Sequence, residues 1–200
     1  MLKIYGHPLS TCTRKVLTTV AERDLPYELV LVDFAKGEHK QEPHVTRQPF
    51  GRIPAIDDDG FELYESRAIC RYLGDPGLVP TDAHARAKME QWISVETSEF
   101  SGHAMKFVYH HIFQRKQDDA VLDAATKALE ITLGVMEQAL TKQLYFADTQ
   151  FSIADISFMP YVEYTMGTPV KELYARFPAV MAWWGRVSER PSWRKVAGRA

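Results

Sequence analysis

The spacing of apolar and polar positions divides the chain into an alternating first part and a purely helical second part. Residues 2–5 read as a short strand, and over 11–23 the apolar Val16, Leu17, Val20 and Ala21 recur at helical spacing. Leu29-Val30-Leu31-Val32 is a near-continuous apolar run of the kind buried in a parallel sheet, so a right-handed βαβ unit is expected. A polar connector over 33–48 follows. Residues 51–56 and 61–64 then flank Asp57-Asp58-Asp59-Gly60, a turn signal that pairs the two strands antiparallel. A helix opens after Glu65, with Ser66 as its N-cap.

Two prolines and a glycine in Asp75-Pro76-Gly77-Leu78-Val79-Pro80 cannot continue a helix and mark a boundary. Beyond it the periodicity is helical only. Thr81 is expected to cap a long helix that carries Met89, Trp92 and Ile93 and continues towards Phe107. A second spans 118–143, with Leu122, Ala125, Leu129, Leu133, Met136 and Leu140 on one face. Ser152-Ile153-Ala154-Asp155 has the form of a capping box with Asp in place of Glu or Gln. Val180, Trp183, Trp184 and Val187 define a further amphipathic helix over 178–187.

The expected fold class is therefore α/β plus all-α. A β-α-β, loop, β-β-α domain over 1–74 has the thioredoxin-like order, a linker covers 75–80, and an all-helical bundle domain covers 81–200. In that order the thiol-handling residue stands at the start of the first helix and a cis-proline lies beside it. Ser10 and Ile53-Pro54 hold those two places, so Pro54 is expected to be cis.

Composition changes this picture little. The 200 residues are 46% hydrophobic and ample for a sizeable core, and a net charge of -2 gives no electrostatic case for nucleic acid or an anionic membrane surface. No segment approaches the ~20 apolar residues of a membrane span, and the N-terminus has no signal-peptide pattern, so a cytoplasmic location is expected. Cys12 and Cys70 make neither a disulfide framework nor a metal-ligand spacing.

The candidate chemistry lies in Ile4-Tyr5-Gly6-His7-Pro8-Leu9-Ser10-Thr11-Cys12-Thr13-Arg14. A strand running into Gly, Pro and a Ser/Thr cluster delivers a hydroxyl and a thiol to a helix N-terminus, where unpaired N–H groups and the helix dipole stabilise an anion. Ser10, Thr11 and Cys12 are the side chains on offer there.

Several motifs in order resemble cytosolic glutathione transferases, most closely the phi class. They are Gly6-His7-Pro8-Leu9-Ser10 with Thr13-Arg14, Lys36-Gly37-Glu38-His39-Lys40, Pro49-Phe50-Gly51, Ile53-Pro54-Ala55, and Phe61-Glu62-Leu63-Tyr64-Glu65-Ser66-Arg67-Ala68-Ile69. Gly167-Thr168-Pro169-Val170-Lys171 and Arg190-Pro191-Ser192-Trp193 continue the likeness into the helical half. The resemblance implies an enzyme in which Ser10 donates its hydroxyl hydrogen to the sulfur of glutathione, held as a thiolate and added to a small hydrophobic electrophile. Peroxidase activity on organic hydroperoxides would use the same thiolate. Glutathione enters as co-substrate, with no separate cofactor.

For the tripeptide, the resemblance implies His39 and Lys40 at the glycyl carboxylate, the main chain of Ile53 at the cysteinyl amide, and Glu65 and Ser66 at the γ-glutamyl end. Arg52, also a glutathione-binding candidate, stands where the class has Gln, and a guanidinium donates to a carboxylate but cannot accept. Gln48 stands where it has Asn, a change expected to be minor. Leu9, Phe34, Phe107, His110 and His111 are candidate walls for the electrophile where the two domains meet, and the resemblance of Phe50, on its Pro-Phe-Gly loop, to the residue that inserts into a partner subunit in the family implies a homodimer. No metal site is expected, because the adjacent His110 and His111 should point ~100° apart on a helix. Two other activities compete: a hydrophobic-ligand binding protein, and a Cys12-based thiol transferase or dehydroascorbate reductase. Cys12, inside the first helical turn, is expected to be buried beside the core and turned away from the pocket, and Cys70 to be core.

Overall fold

The computed structural model describes residues 1–199, which form two compact units: Met1–Gly77 together with the segment from Pro191 onwards, and Leu78–Arg190. In the first unit β1 (Leu2–Gly6), α1 (Thr11–Glu22) and β2 (Tyr27–Leu31) form the expected parallel βαβ, in register from Leu2 opposite Tyr27 to Gly6 opposite Leu31. A short α2 (His44–Arg47) lies in the polar connector. β3 (Ala55–Asp58) and β4 (Phe61–Tyr64) pair antiparallel, and α3 (Ser66–Gly74) follows. The sheet order is β2-β1-β3-β4, with β1 and β3 antiparallel. This is the thioredoxin-like domain.

β2 is not the buried strand its apolar run suggests. It lies at the sheet edge and Leu31 is 62% exposed, because only one neighbour and one face are available to it. Val32, just beyond the strand, is buried instead. The Ile53-Pro54 bond is cis, as are Glu42-Pro43 and Asp75-Pro76.

The helical unit holds α4 (Ala83–Val95), α5 (Ser101–Phe107), α6 (Asp119–Leu140), α7 (Ile153–Met166), α8 (Lys171–Tyr174) and α9 (Pro178–Ser188). Asp82, not Thr81, caps α4, its carboxylate accepting the Ala85 N–H at 2.9 Å. The helix does not run evenly to Phe107: a wide i→i+5 turn interrupts it at Glu96–Phe100, and a second, Val108–Ile112, follows α5. α7 is buried over most of its length, with no solvent-facing polar stripe, and is packed by α4, α5 and α9. Rings of Trp92, Phe146, Phe158 and Trp183 meet in its core, at 4.5 Å between Trp92 and Phe146 and 5.1 Å between Phe146 and Trp183.

α10 (Pro191–Ala197) belongs to the first unit, although the sequence reading places 81–200 in one helical domain. The fully buried Trp193 accounts for this: α10 packs on α1, and Ser192 bonds Glu22. No helix among the described residues is long and apolar enough to cross a membrane.

Candidate active site

The loop from β1 to α1 is held by its own main chain and by two buried side chains. A Cβ on Gly6 would come within 2.7 Å of the Thr13 side chain, so glycine there lets α1 close on the strand end. The Thr13 hydroxyl accepts from the His7 N–H at 3.4 Å, and the Ser10 N–H donates to the His7 carbonyl at 2.9 Å. The buried Arg14 donates from Nε to the Pro8 carbonyl at 2.8 Å. Ser10 is thereby fixed as the N-cap of α1.

Its geometry separates the two uses a serine can have there. Ser10 Oγ accepts the Thr13 N–H at 3.2 Å, with extended backbone at φ -75 and ψ 127. That bond uses a lone pair. Among the described residues the hydroxyl hydrogen has no acceptor, so capping leaves the donor of this serine unused. Thr11 is buried. Cys12 is half-buried, not sealed in the core as expected, although its neighbours Thr11, Thr13 and Arg14 in the first turn of α1 are buried. Cys70 is in the core, where burial pushes its thiol up to about 11.

His39 and Lys40 lie on a single 3₁₀ turn that closes on Gly51. A Cβ on Gly51 would meet the His39 carbonyl at 2.6 Å, and its φ of +57 is in the left-handed region. Lys40 Nζ donates to the Phe50 carbonyl at 2.9 Å and remains exposed. His39 stacks on Phe34, centroids 4.2 Å apart and planes 22° apart, so a residue assigned to glutathione and one assigned to the electrophile share a contact. Loss of hydration holds the His39 imidazole below its ordinary 6.5, with lesser contributions from Lys40 and His44.

Ile53 is buried just ahead of β3, outside the registered ladder. Arg52 is exposed, but its main chain is gripped by His44, which sequence reasoning did not select, and by Gln48, which it treated as a minor change. Nothing in their spacing signals this, since it depends on where the connector folds back.

The N-cap position of α3 belongs to Glu65, not Ser66. Ser66 is its first helical residue and is buried, while the exposed Glu65 adopts φ 72 and ψ 107. Positive φ at a residue with a Cβ stores strain of a kind that collects at ligand sites.

The electrophile candidates are not equivalent. Leu9 and Phe34 are exposed on the first unit. In the helical unit Phe107 is only 5% exposed, so it packs the core and is not a free wall; its ring lies parallel to His111 with centroids 6.5 Å apart. His110 and His111 were expected to point apart, yet their rings lie with centroids 4.5 Å apart, within the wide turn Val108–Ile112. The Gln117 N–H donates to His110 Nδ1 at 3.2 Å, and partial burial, then His110, lowers the His111 pKa. Among the described residues no group of three His, Cys, Asp or Glu side chains is placed to hold a metal ion.

Known proteins resemble this chain along its whole length. Residues 1–75 match the glutathione S-transferase N-terminal domain and residues 100–191 its C-terminal domain. Glutathione S-transferase F7 of Arabidopsis thaliana is 36% identical over 205 residues, covering 98% of each chain. The crystal structure of glutathione transferase F7 from Populus trichocarpa superposes with a TM-score of 0.94 at 35% identity, covering 100% of this chain and 99% of that one. Glutathione S-transferase I from maize, solved with an atrazine glutathione conjugate, gives 0.92 at 32% identity, covering 99% and 97%. With both domains matched and a third of the residues shared end to end, the protein is an enzyme of the glutathione S-transferase family, most similar to its phi class.

Proposed function

We propose that the protein activates bound glutathione as a thiolate at Ser10 and adds it to small hydrophobic electrophiles, with reduction of organic hydroperoxides as a second use of the same sulfur. The observation that carries this is the Ser10 hydroxyl, which caps α1 through its lone pair and keeps its hydrogen for an anion at the helix N-terminus. His39 and Lys40 take the glycyl carboxylate, Ile53 the cysteinyl amide, and Glu65 with the N-terminus of α3 the γ-glutamyl end. Exposed Leu9 and Phe34 offer apolar surface to the second substrate. The conjugate held by the maize relative supports electrophiles of that broad kind.

Conjugation of a chlorodinitroaromatic, hydroperoxide reduction and dehydroascorbate reduction, each run with glutathione, test the reading together. Conjugation should dominate and survive Cys12→Ser. Dominant dehydroascorbate reduction that Cys12→Ser abolishes would assign the chemistry to the half-buried thiol instead. Ligand binding without turnover in all three assays would make the protein a carrier.

His39 adds a pH dependence with a defined sign. Its pKa lies below 6.5 in the free protein, and a docked carboxylate favours the charged ring. Affinity for S-methylglutathione, which has no thiol to titrate, should therefore rise as pH falls below about 6.5, the unperturbed imidazole value. Calorimetric titrations of the parent and His39→Gln between pH 5 and pH 8 check this, and equal pH profiles would remove His39 from the site.

A homodimer is part of the same reading. Phe50 is 61% exposed with Tyr64 edge-on to it at 6.2 Å, and α6 leaves Val121, Ile131 and Val135 exposed along its length. The mass in solution should be twice that of the 22.9 kDa chain, and Phe50→Asp should shift it towards the monomer. A parent that sediments as a monomer would refute the dimer.

A further inference from the structure

Two side chains of the polar connector are buried without a task in the scheme above. His44, 5% exposed, opens α2, and Gln48, 1% exposed, follows its end. They are one helical turn apart, the Gln48 N–H donating to the His44 carbonyl at 2.8 Å, so their side chains share a face. Both reach the main chain of Arg52. His44 Nε2 lies 2.7 Å from the Arg52 carbonyl oxygen, and since a carbonyl only accepts, Nε2 carries the hydrogen. Gln48 Oε1 accepts the Arg52 N–H at 3.1 Å. The Gly51 N–H donates to the Gln48 carbonyl at 2.8 Å, which closes the turn between them.

Arg52 thus has both main-chain polar groups fixed by buried side chains while its guanidinium end is exposed to solvent. The next residue is Ile53. It precedes the ladder, so strand pairing does not orient its N–H and C=O. We propose that His44 and Gln48 are positioning residues for glutathione: by gripping Arg52 they set the main chain of Ile53 in the orientation that meets the cysteinyl amide. The proposal rests on the reading of Ile53 as the amide partner. A segment fixed before binding loses little backbone freedom when the ligand arrives, and that saving appears as glutathione affinity. It also gives Gln48 a role: the chain has Gln where the resembled pattern has Asn, and its oxygen is the one that reaches Arg52.

Steady-state kinetics of Gln48→Met, His44→Met and the double variant test the clamp. Each single substitution should raise KM for glutathione about three- to tenfold, the loss of one buried hydrogen bond. The kcat and the KM for the chlorodinitroaromatic should stay within about twofold, since neither bond touches Ser10. His44→Gln, whose amide nitrogen can stand where Nε2 stood, should restore most of the affinity. The double variant should be little worse than the worse single one, because both bonds act through Arg52. Unchanged glutathione KM in folded variants would overturn the clamp, as would equal losses in both KM values and kcat. If His44→Met does not fold, Gln48→Met decides alone. Glutathione methylated on its cysteinyl amide nitrogen separates the two layers of inference. If the parent binds it as tightly as glutathione, the Ile53 reading falls. If the parent discriminates and Gln48→Met discriminates equally, only the clamp falls.

Discussion

Replacing Ser10 by alanine is expected to slow conjugation about 10- to 150-fold while glutathione affinity stays nearly unchanged. A thiol with a pKa of about 8.5 is only a few per cent ionised at neutral pH, and lowering it by about two units needs roughly 2.7 kcal/mol of preference for the thiolate. One hydrogen bond to a charged acceptor supplies about 1.5–3 kcal/mol, so the hydroxyl and the α1 N-terminus suffice together. The same substitution removes the N-cap that holds Thr13, which costs about 1 kcal/mol of stability and is a separate effect. Ser10→Thr keeps both the cap and the donor and should retain most of the rate. Titration of the bound thiol by its ultraviolet absorbance distinguishes the two effects. Its pKa should rise by about one to two units in Ser10→Ala and not in Ser10→Thr. An unchanged rate and an unchanged thiol pKa in Ser10→Ala would transfer the role to Thr11 or Cys12, and the burial of Thr11 would leave Cys12.

The largest stability effect is expected at Asp155, in the helical unit. Its carboxylate is fully buried and accepts from the Phe146 N–H at 3.1 Å, the Ser152 N–H at 3.0 Å, the Ser152 hydroxyl at 3.2 Å and Trp183 Nε1–H at 2.8 Å. It therefore caps α7, pins the loop before it and anchors α9 through Trp183. Asp155→Ala leaves the Trp183, Phe146 and Ser152 N–H groups without their acceptor, at about 1–3 kcal/mol for each buried donor. A total near 4 kcal/mol corresponds to a midpoint of thermal unfolding lower by about 8–16 °C in a chain of this length. A drop of under about 3 °C would show that the surroundings rehydrate or repack at little cost.

The pH dependence of this group has the opposite sign to that of an ordinary surface carboxylate. Burial pushes Asp155 up to about 6 from the usual 3.8 against the four donors, so the unfolded chain loses this proton first. The group's contribution is greatest below about 4 and declines as pH rises towards 6, by about 3 kcal/mol in total. Denaturant titrations at pH 4, 5 and 6 should show that decline in the parent against a flatter profile in Asp155→Asn. Parallel profiles would mean that the donors hold the carboxylate ionised throughout.

Much of this network was legible without coordinates. Ser152 and Asp155 are three residues apart ahead of an apolar run, and the capping box they form is present. The Trp183 anchor was not legible, because it joins residues 28 apart in the chain. The same division holds in the glutathione half. Ser10 follows from a strand, a turn and a helix start that are contiguous in sequence. Ser66 was placed one residue out as a cap, since no local signal announces that Glu65 will take a positive φ. Leu31 looked buried because apolar runs say how greasy a strand is but not whether it lies at an edge. His110 and His111 were expected to diverge from backbone geometry alone, which does not say which way two neighbouring rings will turn.

By itself, then, the sequence determined the two-part architecture, the parallel βαβ followed by a hairpin, the capping box of α7 and the serine at the start of α1. All of these depend on residues close together in the chain, where periodicity, turn chemistry and capping act directly. Tertiary structure alone decided that β2 is an edge, that α10 returns to α1, that Phe107 is core and that His44 and Gln48 grip Arg52. Those outcomes depend on which surfaces meet after the chain has folded back, and local preferences carry no information about that.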